Sequence, residues 1–275
     1  MTATDPAPSE TPTLSAMSDT TQPALFIGHG NPMNAIESNV YSDAWRALGA
    51  SLPRPRAVLS ISAHWYVRTT MVTAMDNPRT IHDFGGFPAE LFAVEYPAAG
   101  SAALAGEVRD LLRPNRVGLD ESWGLDHGTW SVLVHMFPDA DVPVVQLSID
   151  RSKPAAFHYA LGQALAPLSD AGVLIVGSGN VVHNLETYAW GGHPTGAFDW
   201  ALRFDGQVRR LLEAGDHQPL VDYEQLGPDA RLATPTPDHY LPLLYTIGAG
   251  GGRSVSYPVT GIEGGSISML AVRLD

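Results

Sequence analysis

The sequence predicts an α/β fold: a single domain with a central mixed or mostly parallel sheet flanked by helices in three layers (αβα). Three observations carry this. Apolar runs without polar alternation occur at residues 24–28, 57–63, 142–148 and 173–177, and such runs suit strands covered on both faces. Segments with helical spacing alternate with them. No shift toward linker composition divides residues 23–275, and no internal repeat is present.

In chain order, ALFIG at 24–28 reads as a buried strand ended by the turn His29-Gly30-Asn31-Pro32. Residues 41–48 read as a helix. AVLSISA at 57–63 is a second strand that stops at His64-Trp65, and 71–74 is a short third. Residues 80–97, rich in Gly, Pro and aromatics, read as a long functional loop. SAALAGEVRDLLR at 101–113 has helical spacing with Pro114 just beyond it. A turn at 125–130 leads into a helix over 131–136. Strand 142–148, helix 153–168 and strand 173–177 follow. An amphipathic helix is expected at 197–213, a short one at 240–245, and a closing strand at 266–274. The run Gly248 to Gly252 reads as a flexible loop, because no Lys-Ser or Lys-Thr follows it as a phosphate loop requires.

Composition narrows the function. The chain of 275 residues carries 16 Lys plus Arg against 29 Asp plus Glu, a net charge of −13. Nothing resembles the basic stripe that nucleic acid or an anionic membrane surface would require, so neither is an expected partner. Cysteine is absent, which excludes thiolate metal sites and cysteine nucleophiles. No apolar stretch reaches the length of a membrane span. Residues 1–22 are rich in Pro, Ser, Thr and Ala, lack the basic start and apolar core of a secretory signal, and read as a disordered tail. The expectation is a cytoplasmic protein, a monomer or small homo-oligomer, acting on a small molecule.

Ten histidines are present, and three of them follow apolar runs: IGH at His29, ISAH at His64 and IVGSGNVVH at His183. A single histidine after a strand is usually a loop hydrogen-bonder. The recurrence is harder to ascribe to accident, because open α/β sheets bind ligands outside the carboxyl ends of their strands. His239 stands in a Pro-rich turn. Without cysteine, an imidazole cluster suits Fe, Zn, Cu or Ni. Asp126, Asp238 and Glu263 are carboxylates that could join, and sequence spacing does not decide among them. His127 could act as acid or base with Asp126 orienting it, or could simply cap the following helix. His82 could touch substrate or stand exposed in its loop. Gly177-Ser178-Gly179-Asn180 is only half of a dinucleotide fingerprint, and Ser178 lacks a nucleophile elbow.

Taken in order, Gly28-His29-Gly30-Asn31-Pro32-Met33, Ser62-Ala63-His64-Trp65, Phe84-Gly85-Gly86-Phe87-Pro88 with Tyr96-Pro97, Asp126-His127-Gly128-Thr129-Trp130, Gly177-Ser178-Gly179-Asn180 with His183-Asn184-Leu185, and Pro237-Asp238-His239-Tyr240-Leu241-Pro242 resemble the DOPA 4,5-dioxygenase family of class III, LigB-like extradiol dioxygenases. The resemblance spans about residues 24 to 274. It implies a catalytic domain over 23–275 with a metal at the strand ends, and a catechol such as L-DOPA opened with O2. It implies that His29, His64 and His239 are metal ligands. His183 is implied beside the metal, as a further ligand to zinc or as a catalytic base, and His127 as a second acid/base. Relatives in the superfamily hold iron with two histidines and a carboxylate; here His239 takes the carboxylate's place. Fe(II) is the ion expected for activity, and Zn(II) is a possible occupant of purified protein. Two rivals remain open at this level: a zinc hydrolase on the same histidines, which no H-E-x-x-H helix supports, and a metal- or ligand-binding protein without catalysis.

Overall fold

The computed structural model describes residues 20–190 and 196–275. The tail read at 1–22 lies outside these residues as far as residue 19; Gln22 is buried and its amide donates to the Ser169 carbonyl at 2.9 Å. The strands are β1 (Ala24–Gly28), β2 (Ala57–Val67), β3 (Thr70–Thr73), β4 (Val117–Asp120), β5 (Val144–Asp150), β6 (Val173–Gly179), β7 (Val255–Ser256), β8 (Ile262–Glu263), β9 (Ile267–Ser268) and β10 (Ala271–Leu274). The helices are α1 (Val40–Ser51), α2 (Ala89–Phe92), α3 (Ala102–Leu111), α4 (His127–Met136), α5 (Ala155–Leu165), α6 (Pro167–Asp170), α7 (Asp199–Glu213), α8 (His217–Val221), α9 (Pro228–Ala233) and α10 (Leu241–Gly250).

Eight strands form one sheet in the order β4-β3-β5-β2-β6-β1-β10-β7, and β8 pairs with β9 separately. The central strands β5, β2, β6 and β1 are parallel, while β10 runs antiparallel to β1 and β7 antiparallel to β10. Strand alternation sends side chains to two core layers. Leu25 and Ile27 pack with Trp45 and Leu48 of α1 and Trp130 and Leu133 of α4. Ala24 and Phe26 pack with Leu161 and Leu165 of α5, Phe204 and Val208 of α7, and Leu243, Leu244 and Ile247 of α10. The sheet is therefore covered on both faces, as its unbroken apolar runs require. Among the described residues, no helix is long and apolar enough to cross a membrane.

Four elements differ from the sequence reading. Strand β2 continues to Val67, so His64 lies within it, where its pairing with β5 shifts register between Ile61 and Tyr66. Helix α4 begins at His127 rather than Ser131, because the Asp126 carboxylate accepts the Thr129 amide at 3.3 Å as its N-cap. Helix α10 runs on to Gly250, so Gly248 belongs to a buried helix rather than a flexible loop. A Cβ at Gly248 would sit 2.5 Å from the Tyr159 carbonyl oxygen of α5; the missing side chain lets two helix backbones touch. The closing segment is split into β9 and β10.

Helix α5 also buries His158. Its Nδ1 lies 2.9 Å from the Tyr245 hydroxyl, and its Nε2 is buried without a hydrogen-bond partner. Burial pushes its pKa down to about 4, against weaker opposing effects of the Lys153 backbone and Asp150. Between pH 6.5 and 4 the unfolded chain thus binds a proton that the folded chain refuses. This contribution to stability is complete above about pH 6.5 and declines as pH falls toward 4, by about 1.4 kcal/mol per unit. Urea midpoints of wild type and His158→Gln are expected to converge on acidification from about pH 7 to about pH 5. Parallel pH dependences would show that this imidazole does not contribute.

Candidate metal centre

The carboxyl ends of β1, β2 and β6 open on a cavity of about 230 Å³. His29, His64, His127, His183 and His239 all line it, so the five histidines read from the sequence as ligands or acid/base groups lie in one place. Ring centroids of His29 stand 5.1 Å from His64, 5.6 Å from His127 and 5.3 Å from His239. His64 and His127 are 3.9 Å apart. His183 lies flat on His239, 3.5 Å between centroids with 3° between planes. His239 comes from the turn before α10 and is drawn in by a backbone contact: its carbonyl accepts the Asn180 amide at 2.8 Å. Its carbonyl oxygen also lies against Cα of Gly179, where any Cβ would collide with it.

The hydrogen bonds fix tautomers. The Ser178 hydroxyl spends its one proton on the Gly128 carbonyl, so toward His29 Nδ1, 3.0 Å away, it can only accept. His64 donates from Nδ1 to Asp83 Oδ2 at 3.1 Å. His127 donates from Nδ1 to Asp83 Oδ1 at 2.9 Å. His239 donates from Nδ1 to Asp238 Oδ2 at 2.5 Å. Four imidazoles therefore carry their proton on Nδ1 and keep a bare lone pair on Nε2. Such outer partners are how proteins orient metal-binding imidazoles.

Two consequences test whether a metal fits. His29 Nε2 and His64 Nε2 are 3.1 Å apart; with both rings neutral and protonated on Nδ1, two lone pairs face each other and repel unless a proton or a metal cation lies between them. His239 Nε2 is buried and has no hydrogen-bond partner, an orphan that a cation would satisfy. The donor set, imidazole without thiolate, suits iron or zinc. One group of candidate ligand atoms among the described residues, all within 4.8 Å of one another, comes from His29, His64 and His127.

Electrostatics follow from crowding. Burial first, and then the neighbouring imidazoles, hold His29 well below its ordinary pKa. Burial and the His64 charge lower His127 to about 4, against the Asp83 hydrogen bond. Burial and His239 bring His183 down to about 2. His64 moves the other way: burial opposes its charge, but the Asp83 hydrogen bond and the charges of Asp126 and Asp83 prevail. Burial works against the ionisation of Asp83 as well, and the His127 and His64 hydrogen bonds outweigh it.

The carboxylates sort differently from the sequence reading. Asp126 does not orient His127; it caps α4 and accepts the Ser62 hydroxyl at 2.6 Å. Asp83, unremarked in sequence beside His82, holds both His64 and His127. Asp238 holds His239, and Glu263 accepts the Tyr188 hydroxyl at 2.9 Å. His82 turns away, its Nε2 2.9 Å from the Val94 carbonyl. The outer wall of the cavity is apolar and aromatic, from Phe84, Phe87, Leu185, Tyr188, Trp190 and Ile267.

Histidines gathered at the strand ends of a parallel sheet, with lone pairs turned into an apolar-walled cavity, define a metal-dependent α/β enzyme. The chain belongs to the LigB family, the catalytic subunits of aromatic ring-opening dioxygenases, whose pattern matches residues 24–266. It is 53% identical to 4,5-DOPA dioxygenase extradiol of Escherichia coli (strain K12) over 94% of this chain and 96% of the relative. It is 41% identical to 4,5-DOPA dioxygenase extradiol of Beta vulgaris, over 86% of this chain and 90% of that one. The fold matches the crystal structure of an uncharacterized protein from Escherichia coli K12 with a TM-score of 0.80 and 48% identity, covering 92% of this chain and all of the other. Extradiol dioxygenases of this family work with a non-haem metal.

Proposed function

We propose that this chain opens the ring of a catechol beside its diol with O2, that Fe(II) is the working metal, and that His29, His64 and His239 hold it. The observation that carries the reading is the pair of Nε2 lone pairs 3.1 Å apart on His29 and His64, with the orphaned Nε2 of His239 beside them. When bound, the metal would lower the cost of ionising the catechol and bring it together with O2.

The remaining work falls to the chain's own residues. Phe84, Phe87, Leu185 and Ile267 offer apolar walls to an aromatic ring and limit the water that reaches it. His183 lines the cavity against His239 and is neutral in the resting site, where burial and His239 bring its pKa down to about 2. It is the candidate base for a catechol hydroxyl whose acidity a bound metal would raise, and with zinc bound it is also a candidate further ligand. His127 starts with Nε2 bare and Nδ1 tied to Asp83. It must therefore take a proton at Nε2 before it can return one to an oxygen. The names of the relatives make L-DOPA, cleaved at the 4,5 bond, the first substrate to try.

The experiment is oxygen uptake by protein reconstituted anaerobically with Fe(II), offered L-DOPA, protocatechuate and catechol, with a zinc-loaded control. Uptake with iron alone, together with a new yellow chromophore, is the expected result. An all-histidine donor set also suits zinc. Ester or amide hydrolysis by the zinc form, with no oxygen uptake by a fully iron-loaded one, would establish the hydrolase instead.

A further inference from the structure

Asp83 touches two histidines that the proposed reaction uses differently. One carboxylate oxygen, Oδ2, accepts from His64 Nδ1 at 3.1 Å. The other, Oδ1, accepts from both His127 Nδ1 at 2.9 Å and the His127 backbone amide at 3.0 Å. Three N–H groups thus converge on one side chain that is about four-fifths withdrawn from solvent. A neutral residue could not accept all three. A carboxylate can, because it is acceptor-only and offers lone pairs on both oxygens.

The position of Asp83 is itself fixed. The Ile81 amide donates to the Leu125 carbonyl at 2.7 Å, and the Leu125 amide donates to the Arg79 carbonyl at 2.9 Å. Trp130 Nε1 donates to the Ile81 carbonyl at 2.8 Å. The segment carrying Asp83 is therefore clamped to the turn that starts α4, where His127 stands. The next residue, Phe84, packs its ring edge-on to His127 at 5.4 Å.

We infer that Asp83 is a positioning residue that sets the tautomer and orientation of His64 and His127 together, so that metal affinity and proton transfer depend on one carboxylate. The inference rests on the proposed reading of His64 as a ligand and His127 as an acid/base. Asp83 needs no contact with metal or substrate for this. Its effect is to keep both protons on Nδ1 and hence both lone pairs on the Nε2 atoms that face the cavity.

Substitution separates this from a merely structural role. In Asp83→Ala both imidazoles lose their anchor. In Asp83→Asn the shape is kept, but the amide can accept from only one ring and must donate to the other, which forces that ring to carry its proton on Nε2. Full-length proteins would be compared for folding by thermal melts, for zinc affinity by competition with a chromophoric chelator, and for kcat and KM at saturating Fe(II). Histidine tautomers in the zinc-loaded forms would be read by nitrogen-15 NMR. Asp83→Ala is expected to bind zinc roughly 10- to 100-fold more weakly and to lose kcat by at least about tenfold with little change in KM. Asp83→Asn is expected to convert one of the two rings to the Nε2–H tautomer. Zinc affinity or kcat of Asp83→Ala within about twofold of wild type overturns the inference, as does an Asp83→Asn spectrum with both rings still Nδ1–H. His64→Ala, measured alongside, tells the two failures apart. If it keeps zinc, the ligand reading is wrong; if it loses zinc while Asp83→Ala does not, only the role of Asp83 falls.

Discussion

His64→Ala and His239→Ala are each expected to yield a folded protein that no longer retains stoichiometric metal and has no measurable oxygen uptake. Side chains that only orient a ligand cost roughly 10- to 100-fold in metal affinity when removed, so loss of a ligand itself should cost more. The folded state should survive, because both rings lie at the cavity wall and neither belongs to the two apolar layers. Metal content after equilibration with one equivalent of zinc, measured by mass spectrometry, decides the matter. His127→Gln in the same assay is the discriminating companion. Retained metal there keeps His127 outside the ligand set. Lost metal there, with His239→Ala still loaded, would install the tight group of His29, His64 and His127 as the ligands in place of the set proposed here.

Three of the residues found in sequence, His29, His64 and His183, share one property: an apolar run leads to them. His29 and His64 were legible because buried parallel strands deliver whatever comes at their ends to the same crevice. His183 was legible for the same reason, four residues past β6. His239 had no strand before it and was found by the motif around it, not by any period. Asp83 had neither signal. It lies in a long loop whose chain direction is set by pairing with Leu125, more than forty residues away, and nothing local marks which of its neighbours faces inward. Asp126 illustrates the converse error. Adjacency to His127 suggested that it orients that ring, whereas an aspartate three residues before a helical amide is first of all an N-cap. That same cap explains why α4 starts at His127 and why the sequence reading began the helix four residues late. In the fold, the sheet and its two covering layers followed from the apolar runs. The two-residue strands β7, β8 and β9, and the short helices α8 and α9, are too brief to set up a period.

His127→Gln and His183→Gln are expected to keep their metal and lose kcat by roughly a hundredfold or more, the usual size of a general acid or base contribution. A hundredfold loss corresponds to about 2.7 kcal/mol of transition-state stabilisation. Glutamine is the informative replacement, since its amide can still hydrogen-bond but cannot accept and return a proton at neutral pH. His127 depends on Asp83 for its acid role. The imidazole sits at the first turn of α4, where the positive end of the helix dipole opposes an imidazolium. Burial opposes it further, and the pKa near 4 reflects both the burial and the His64 charge. Among the described residues, the Asp83 carboxylate at 2.9 Å is arranged to stabilise the protonated ring. A ring that resists protonation in the resting site, yet has an anion in place for when it is protonated, returns its proton readily. That makes it a good acid late in a reaction and a poor reservoir beforehand. Among the described residues His183 has no carboxylate hydrogen-bonded to it; it stacks on His239, and burial and the His239 charge lower its pKa against the weaker pull of Asp238. It should therefore pass on any proton it takes rather than store it. The two variants are accordingly expected to differ in kind. His183→Gln should slow catechol ionisation, and activity should recover partly as pH is raised and the free catechol ionises unaided. His127→Gln should show no such recovery, because alkali cannot supply the missing acid. Pre-steady-state mixing of the anaerobic iron enzyme with substrate, followed by its catecholate absorption across pH, separates the two, and a common pH response would assign both rings to one step.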